Sequence, residues 1–332
     1  SIATNDIVID PNVSQDSSVV QNDTTQTTMS MWRQSTPQPV LSGPVLKFDR
    51  VTFTITTPYD SASLKNTKGS LSLLDGTFVG ERGTFGWDPA GLNGDSVYFE
   101  FAEYNFNVDR PVVKAERGKL RYIGKVANKV EGQFEFSSVR HKNKASSTYP
   151  RFMSFQSNVP VLGLSDDRMK YIGGFSLNGK KMYSTSASGD YSRLEVIGDA
   201  DRKFTARSRM FEFQDSLVTA KRAIVQIYQG NDSIFHPSVQ FRYDYGKQRL
   251  SLMREKGQLH DAPFTSSFFN IDFSADLIRW SLKSDSLNIT AMGGGSQAPM
   301  IIESVDFYDQ EDYVILEGQG FSFHPLALLV GY

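Results

Sequence analysis

Four histidines and three groups of carboxylates are the side chains of this chain best suited to catalysis or metal binding. His141, His236, His260 and His324 lie far apart, with no His-x-His or His-x3-His spacing to seat one metal ion. Two of them precede proline (His236-Pro237, His324-Pro325), which biases them toward extended backbone and loop entries, so structural or surface roles are expected. Asp306, Asp309, Glu311 and Asp312 offer hard oxygen ligands of the kind calcium takes. They lack the Asp-x-Asp-x-Asp-Gly spacing of a calcium loop, and the favoured reading is a solvated turn between Val305 and Tyr313. Asp166-Asp167 and Asp199 with Asp201 raise a glycosidase-type carboxylate pair, which needs two carboxyls held about 5–10 Å apart around a cleft. Their neighbours Ser165, Gly198 and Arg202 are turn material.

Other chemistries are excluded more directly. The chain has no cysteine, so disulfides, thiolate catalysis and Cys-ligated zinc are ruled out. No Gly-x-Ser-x-Gly elbow, P-loop or dinucleotide fingerprint occurs. Gly293-Gly294-Gly295 lacks the following helix and lysine of a phosphate cradle and reads as a linker. Trp87, Tyr98 and Trp280 suit a sugar-stacking platform, but in so aromatic a chain core packing is the default. The sequence therefore assigns no catalytic, cofactor-binding or metal-ligating residue. A non-enzyme without cofactor is expected.

The elements around these residues are strands. Asp-Ser recurs at Asp60-Ser61, Asp95-Ser96, Asp215-Ser216, Asp232-Ser233 and Asp285-Ser286, and an apolar, β-prone run follows four of the five within a residue. Val51, Phe53 and Ile55 alternate with threonines, and Val239, Phe241, Tyr243 and Tyr245 with Gln240, Arg242 and Asp244. Gly246-Lys247 turns the latter run back into Leu250-Ser251-Leu252 as a hairpin. Aromatics fall on both parities over Val97 to Val108, which implies a strand covered on both faces or bulged. Odd parity over Phe269, Ile271, Phe273 and Leu277 gives way to even parity at Ile278, Trp280 and Leu282, which predicts a bulge near Leu277. Glycines just before phenylalanines (Gly76, Gly83, Gly132, Gly174) mark expected strand starts. Ser216 to Tyr228 is the nearest thing to a helix, yet Ala223, Val225 and Ile227 alternate and favour a strand. The expected fold is all-β: an elongated, mostly antiparallel sheet, an irregular β-solenoid or a stacked jellyroll.

Three regions follow. Residues 1–42 have few large apolar groups, cannot offset the entropy of ordering, and read as a disordered polar tether. Residues 43–292 form the β body, in which Ser138 to Pro150 is either a domain linker or, as favoured, a long hairpin loop. Residues 293–332 comprise the Gly-rich linker and an apolar ending at Leu326 to Val330, expected to continue into a longer chain or dock on a partner. The formal charge of −2 argues against nucleic-acid binding, and no run of about 18 apolar residues is present to span a bilayer as a helix.

Asp215-Ser216-Leu217-Val218 through Ala223, then Asp232-Ser233-Ile234-Phe235-His236-Pro237, the Ala262-Pro263-Phe264 and Ile278-Arg279-Trp280 neighbourhoods, and the ending from Glu303 to Leu326 resemble large uncharacterised β-rich cell-envelope proteins of Bacteroidota. The resemblance covers about half the chain and transfers no catalytic residue. It implies a cell-envelope location, periplasmic or at the cell surface. Repeated strands with irregular turns suit an extended platform whose end strands need a cap, so a structural or scaffolding role among other envelope proteins, in a larger assembly, is expected. Ser216 to Tyr245 is also similar, more faintly, to the lipopolysaccharide-transport β-jellyroll, which implies a groove for acyl chains. A lipid-conducting groove and a carbohydrate-binding or carbohydrate-active protein are the two alternatives.

Overall fold

The computed structural model describes residues 38–143, 146–164, 168–186, 189–198, 201–254, 262–284, 286–290 and 301–305, all within one unit, Gln38–Tyr332. Their 21 strands belong to a single antiparallel sheet that does not close into a barrel. No α-helix occurs among the described residues, only short 3-10 turns such as Asp88–Ala90. The all-β antiparallel expectation holds. The polar stretch 1–37, the linker at 293–296 and the apolar ending at 324–332 lie outside the described residues.

Six long strands open the sheet as a meander in chain order: β1 (Val45–Thr56), β2 (Ser61–Ser72), β3 (Thr77–Gly86), β4 (Val97–Asn107), β5 (Val112–Tyr122) and β6 (Val130–Ser137). The pairing register of β1 to β5 slips in mid-strand. At each slip two consecutive residues turn outward and the inward parity flips: Asp49-Arg50, Lys65-Asn66, Glu81-Arg82, Ala102-Glu103 and Glu116-Arg117. Polar side chains in these doublets take the convex side because burying them unpaired is costly. The two parities of aromatics over Val97 to Val108 are thus a bulge, with Phe99 and Phe101 inward before it and Tyr104 and Phe106 inward after it.

Beyond β6 the same bend appears as broken strands. The chain continues through β7 (Arg151–Ser154), β8 (Met169–Ile172), β9 (Gly174–Asn178), β10 (Lys181–Thr185), β11 (Ser192–Ile197), β12 (Arg202–Ser208) and β13 (Glu212–Phe213). β8 and β9 pair with β11 and β10, and those pair with β12 and β13. The long hairpin β14 (Leu217–Gln229) and β15 (Asp232–Asp244) follows, with outward Lys221-Arg222 at its own slip. The last strands are β16 (Arg249–Met253), β17 (Phe264–Ser266), β18 (Ile271–Phe273), β19 (Leu277–Ser281), β20 (Leu287–Thr290) and β21 (Ile302–Ser304). β15 pairs with both β16 and β17, and the ladder runs on as β16–β19–β20 and as β17–β18–β21.

This line of bulges and breaks folds the sheet over itself. In a flat sheet β3 and β6, three strand spacings apart, would be separated by about 14 Å. The rings of Phe85 and Phe136 instead lie 4.9 Å apart, and Phe134 meets Phe85, Trp87, Phe99 and Phe101. Both halves bury their inward residues against each other as one aromatic core. Glycine permits the close approach at the fold line: a Cβ on Gly118 would stand 2.3 Å from the Phe99 ring, and one on Gly132 only 2.1 Å from the Met153 carbonyl oxygen.

Four of the Asp-Ser pairs immediately precede or open β2, β4, β14 and β15, and Ser286 immediately precedes β20. The 138–150 stretch is a loop between paired strands β6 and β7, as favoured. Of Ser216 to Tyr228, all but Ser216 is strand, and the Gly246-Lys247 hairpin joins β15 to β16. Two expectations are corrected. Gly83 and Gly132 sit inside strands, where the missing side chain matters more than turn-forming. The parity switch at Leu277 is the break between β18 and β19 rather than a bulge, and Leu277 and Ile278 are both buried.

Candidate functional site

Folding the sheet brings strand ends that are far apart in register face to face, along a mouth opposite the bulges. Thr56 pairs with Ser61 at one extreme of the meander, and Ser137 with Val112 at the other. The residues just beyond these extremes meet. Thr57 Oγ1 lies 2.6 Å from Ser138 Oγ, Ser138 Oγ donates to Asp60 Oδ2 at 3.0 Å, and His141 Nε2 stands 3.7 Å from Asp60 Oδ1. Further along, Trp87 Nε1 donates to the Gly179 carbonyl in the β9–β10 turn at 3.1 Å. Lys125, in the β5–β6 turn, donates to Asp215 in the β13–β14 turn at 2.8 Å. That bond lowers the Asp215 carboxyl and raises the Lys125 ammonium relative to their ordinary values. These three contacts clasp the mouth.

The Asp60–Ser138–His141 group contains the side chains of a hydrolytic triad but not its order. A triad needs the imidazole between serine and carboxylate, to take the serine proton while the acid orients the ring. Here Ser138 is bonded straight to Asp60, and His141 Nδ1 is engaged by the Val139 carbonyl at 2.9 Å. The arrangement joins two chain segments and moves no proton toward a nucleophile. Sequence reading missed it because its members come from the β1–β2 turn and the loop after β6. Only the folding-over makes them neighbours.

Where the mouth is not clasped, a groove with about 620 Å³ of free space, part of it open to solvent, is present. One wall comes from the starts of β12 and β15, the end of β14 and the Phe268–Asn270 turn: Arg202, Lys203, Ile227, Tyr228, Ile234 and Phe268. The other wall is Trp280 of β19 and Leu287 of β20, which pair with each other. Arg202 is fixed by a bond from its Nε to Glu195 and by the Tyr228 ring, 5.4 Å from its guanidinium carbon. Tyr228 in turn donates to Gln226 Oε1 at 3.0 Å, and Gln226 donates to Ser233 Oγ at 3.0 Å. Trp280 Nε1 donates to the Ser284 carbonyl at 2.8 Å.

Of the residues singled out for chemistry, only Asp201 and Trp280 come together among the described residues, both lining this groove. Asp166, Asp167, Asp199, His260, His324, the glycines at 293–295 and the acidic cluster from Asp306 to Asp312 lie outside the described residues. Trp87 is buried at a clasp and Tyr98 is half-buried in β4. His236 is a structural residue. Its Nδ1 accepts from the Ser238 amide at 3.0 Å, bridging Pro237, which has no amide to give the ladder. Nε2 donates to the Ala262 carbonyl at 2.9 Å. The His-Pro step is thus the slip in β15, between the Val225↔His236 and Ala223↔Val239 pairings.

Burial lowers the His236 imidazole below its ordinary value, with Arg254 adding to the effect against the Ala262 carbonyl. The depressed value means that an unfolded chain binds a proton that the native state refuses once the pH drops below about 6.5. Stability should therefore be complete above that pH and fall as the medium is acidified, with up to one proton of slope from this residue. Urea unfolding between pH 7.5 and 5 should show a smaller decline in His236→Gln than in the wild type. Parallel declines would remove His236 as the cause.

Comparison with protein families, with curated proteins and with solved structures finds no match to this chain.

Proposed function

We propose that the chain is a non-catalytic structural segment of a cell-envelope protein, on the periplasmic or cell-surface side, engaging other envelope components through the end strands of its sheet. The observation that carries this reading is the contrast between those ends. Among the described residues β1 pairs only with β2, β20 only with β19 and β21 only with β18. Unpaired strand edges present rows of backbone donors and acceptors, which proteins either guard or use. β1 is guarded by outward Lys47, Asp49 and Arg50 and by its slip in register. β20 and β21 carry exposed Ile289 and Ile302, flanked by exposed Ile301 and Val305. The resemblance of the Asp-Ser-Ile-x-His-Pro element to Bacteroidota envelope proteins supports the location.

A through-going lipid conduit is less well supported, because aromatic rings fill the space between the two halves of the first six strands. The test is site-specific photo-crosslinking in the producing organism. A crosslinker at Ile302 or Ile289 should capture defined envelope proteins, and one at Thr52 of β1 should not. Replacing both isoleucines by lysine should abolish capture at a neighbouring position such as Ile301. Capture that is absent, or equal from β1 and from β20–β21, would overturn the proposal.

A further inference from the structure

We propose that the unclasped stretch of the mouth binds an anionic amphiphile: a ligand with one negatively charged head and an aliphatic tail, held singly rather than passed along the sheet. This goes beyond the structural role and does not depend on it. The groove joins two chemistries at a fixed spacing. Its apolar lining residues come from both halves of the folded sheet, with Ile227, Ile234 and Phe268 facing Trp280 and Leu287. Apolar side chains on both sides favour an apolar chain between them, and the polar groups of the lining, Arg202 and Lys203 among them, are left for its head.

Cations stand at the rim. Arg193 and Arg202 share Glu195, at 3.3 Å for Arg193, while Lys203 beside them has no acidic partner among the described residues. The Lys203 stem lies over Gly198, where a Cβ would come within 2.5 Å of it. Of the charged groups that line the groove, Arg202 and Lys203 outnumber the exposed Asp201, which leaves the lining net positive and selects an anionic head. The tail has a bounded place to go. Clasps at Asp60–Ser138, Trp87–Gly179 and Lys125–Asp215 close the mouth toward the N-terminal strands.

The binding experiment titrates the whole chain with dodecyl phosphate and with dodecanoate below their micellar concentrations. Octyl glucoside serves as uncharged amphiphile and inorganic phosphate as head alone. Saturable one-to-one binding by both anionic amphiphiles is expected, with the other two at least about tenfold weaker. Preference between phosphate and carboxylate then identifies the head. Lys203→Glu should weaken the anionic ligands by about tenfold, and Lys203→Gln by less. Leu287→Asp should weaken them by a similar factor; if it fails to fold, the two Lys203 variants decide. Equal binding of octyl glucoside, no saturable binding by either anion, or wild-type affinity in Lys203→Glu would overturn the proposal.

Discussion

Gly132→Val should leave the chain unable to fold stably. In β6, a Cβ at this position would stand 2.1 Å from the Met153 carbonyl oxygen and 2.6 Å from the Phe152 ring, and the first of these is backbone of the paired strand β7. A clash with backbone cannot be relieved by a rotamer change. The Gly132↔Ser154 pairing must open, and with it the approach of β7 to the fold line. Overpacking of this kind costs about 1–3 kcal/mol where the surroundings yield and more where they do not. Because a ladder must also be broken here, a loss of about 4 kcal/mol or more is expected, a large part of a domain's net stability. Gly246→Ala is the control: the nearest atom to its Cβ would be Ser216 Cβ at 3.3 Å, in an exposed turn. Soluble yield and urea midpoints should separate the two variants clearly. A Gly132→Val midpoint close to wild type would mean that β6 and β7 approach differently in solution.

The second large effect is expected at Phe134. Its ring stacks on Phe99 at 4.9 Å, stands edge-on to Phe101 at 5.2 Å and Trp87 at 5.8 Å, and lies 5.0 Å from Phe85. These partners come from β3, β4 and the turn between them, so the side chain joins strands that share no hydrogen bonds with β6. Truncation removes both the transfer free energy and the filling of a closed space, and Phe134→Ala should cost about 3–5 kcal/mol in urea unfolding. Trp87 is a built-in reporter, and its emission should shift to the red as the void admits water. Ile289→Ala, on the exposed edge strand, should change stability by no more than about 0.5 kcal/mol.

Much of the bend was available in the residues themselves. Asp49-Arg50, Glu81-Arg82 and Lys221-Arg222 each interrupt a period-two run with two adjacent charges, and the inward parity differs on either side. Such a doublet in the middle of a strand is a written bulge. The alternation of Ala223, Val225 and Ile227 was legible, while the opposite alternation of Val218 and Ala220 just before it was the overlooked half of the same signal. His236-Pro237 was legible as extended backbone. That the imidazole takes the amide of Ser238 was not, because this depends on the register between β14 and β15.

The sequence by itself determined local conformation. Alternating apolar residues favour pleated strands, Asp-Ser pairs favour turns, and charged doublets force the chain's outward face to change sides; these effects act over two to ten residues and do not need the rest of the molecule. Tertiary structure alone decided which distant residues meet. The clasp of Asp60, Ser138 and His141, the rings around Phe134 and the two walls of the groove combine residues whose separation along the chain carries no periodic signal. Their contact follows from the angle at which the whole sheet folds, which is set by the packing of all inward side chains together. Local preferences can place the bends. Only the filled core fixes how far they close, and therefore where the mouth stays open.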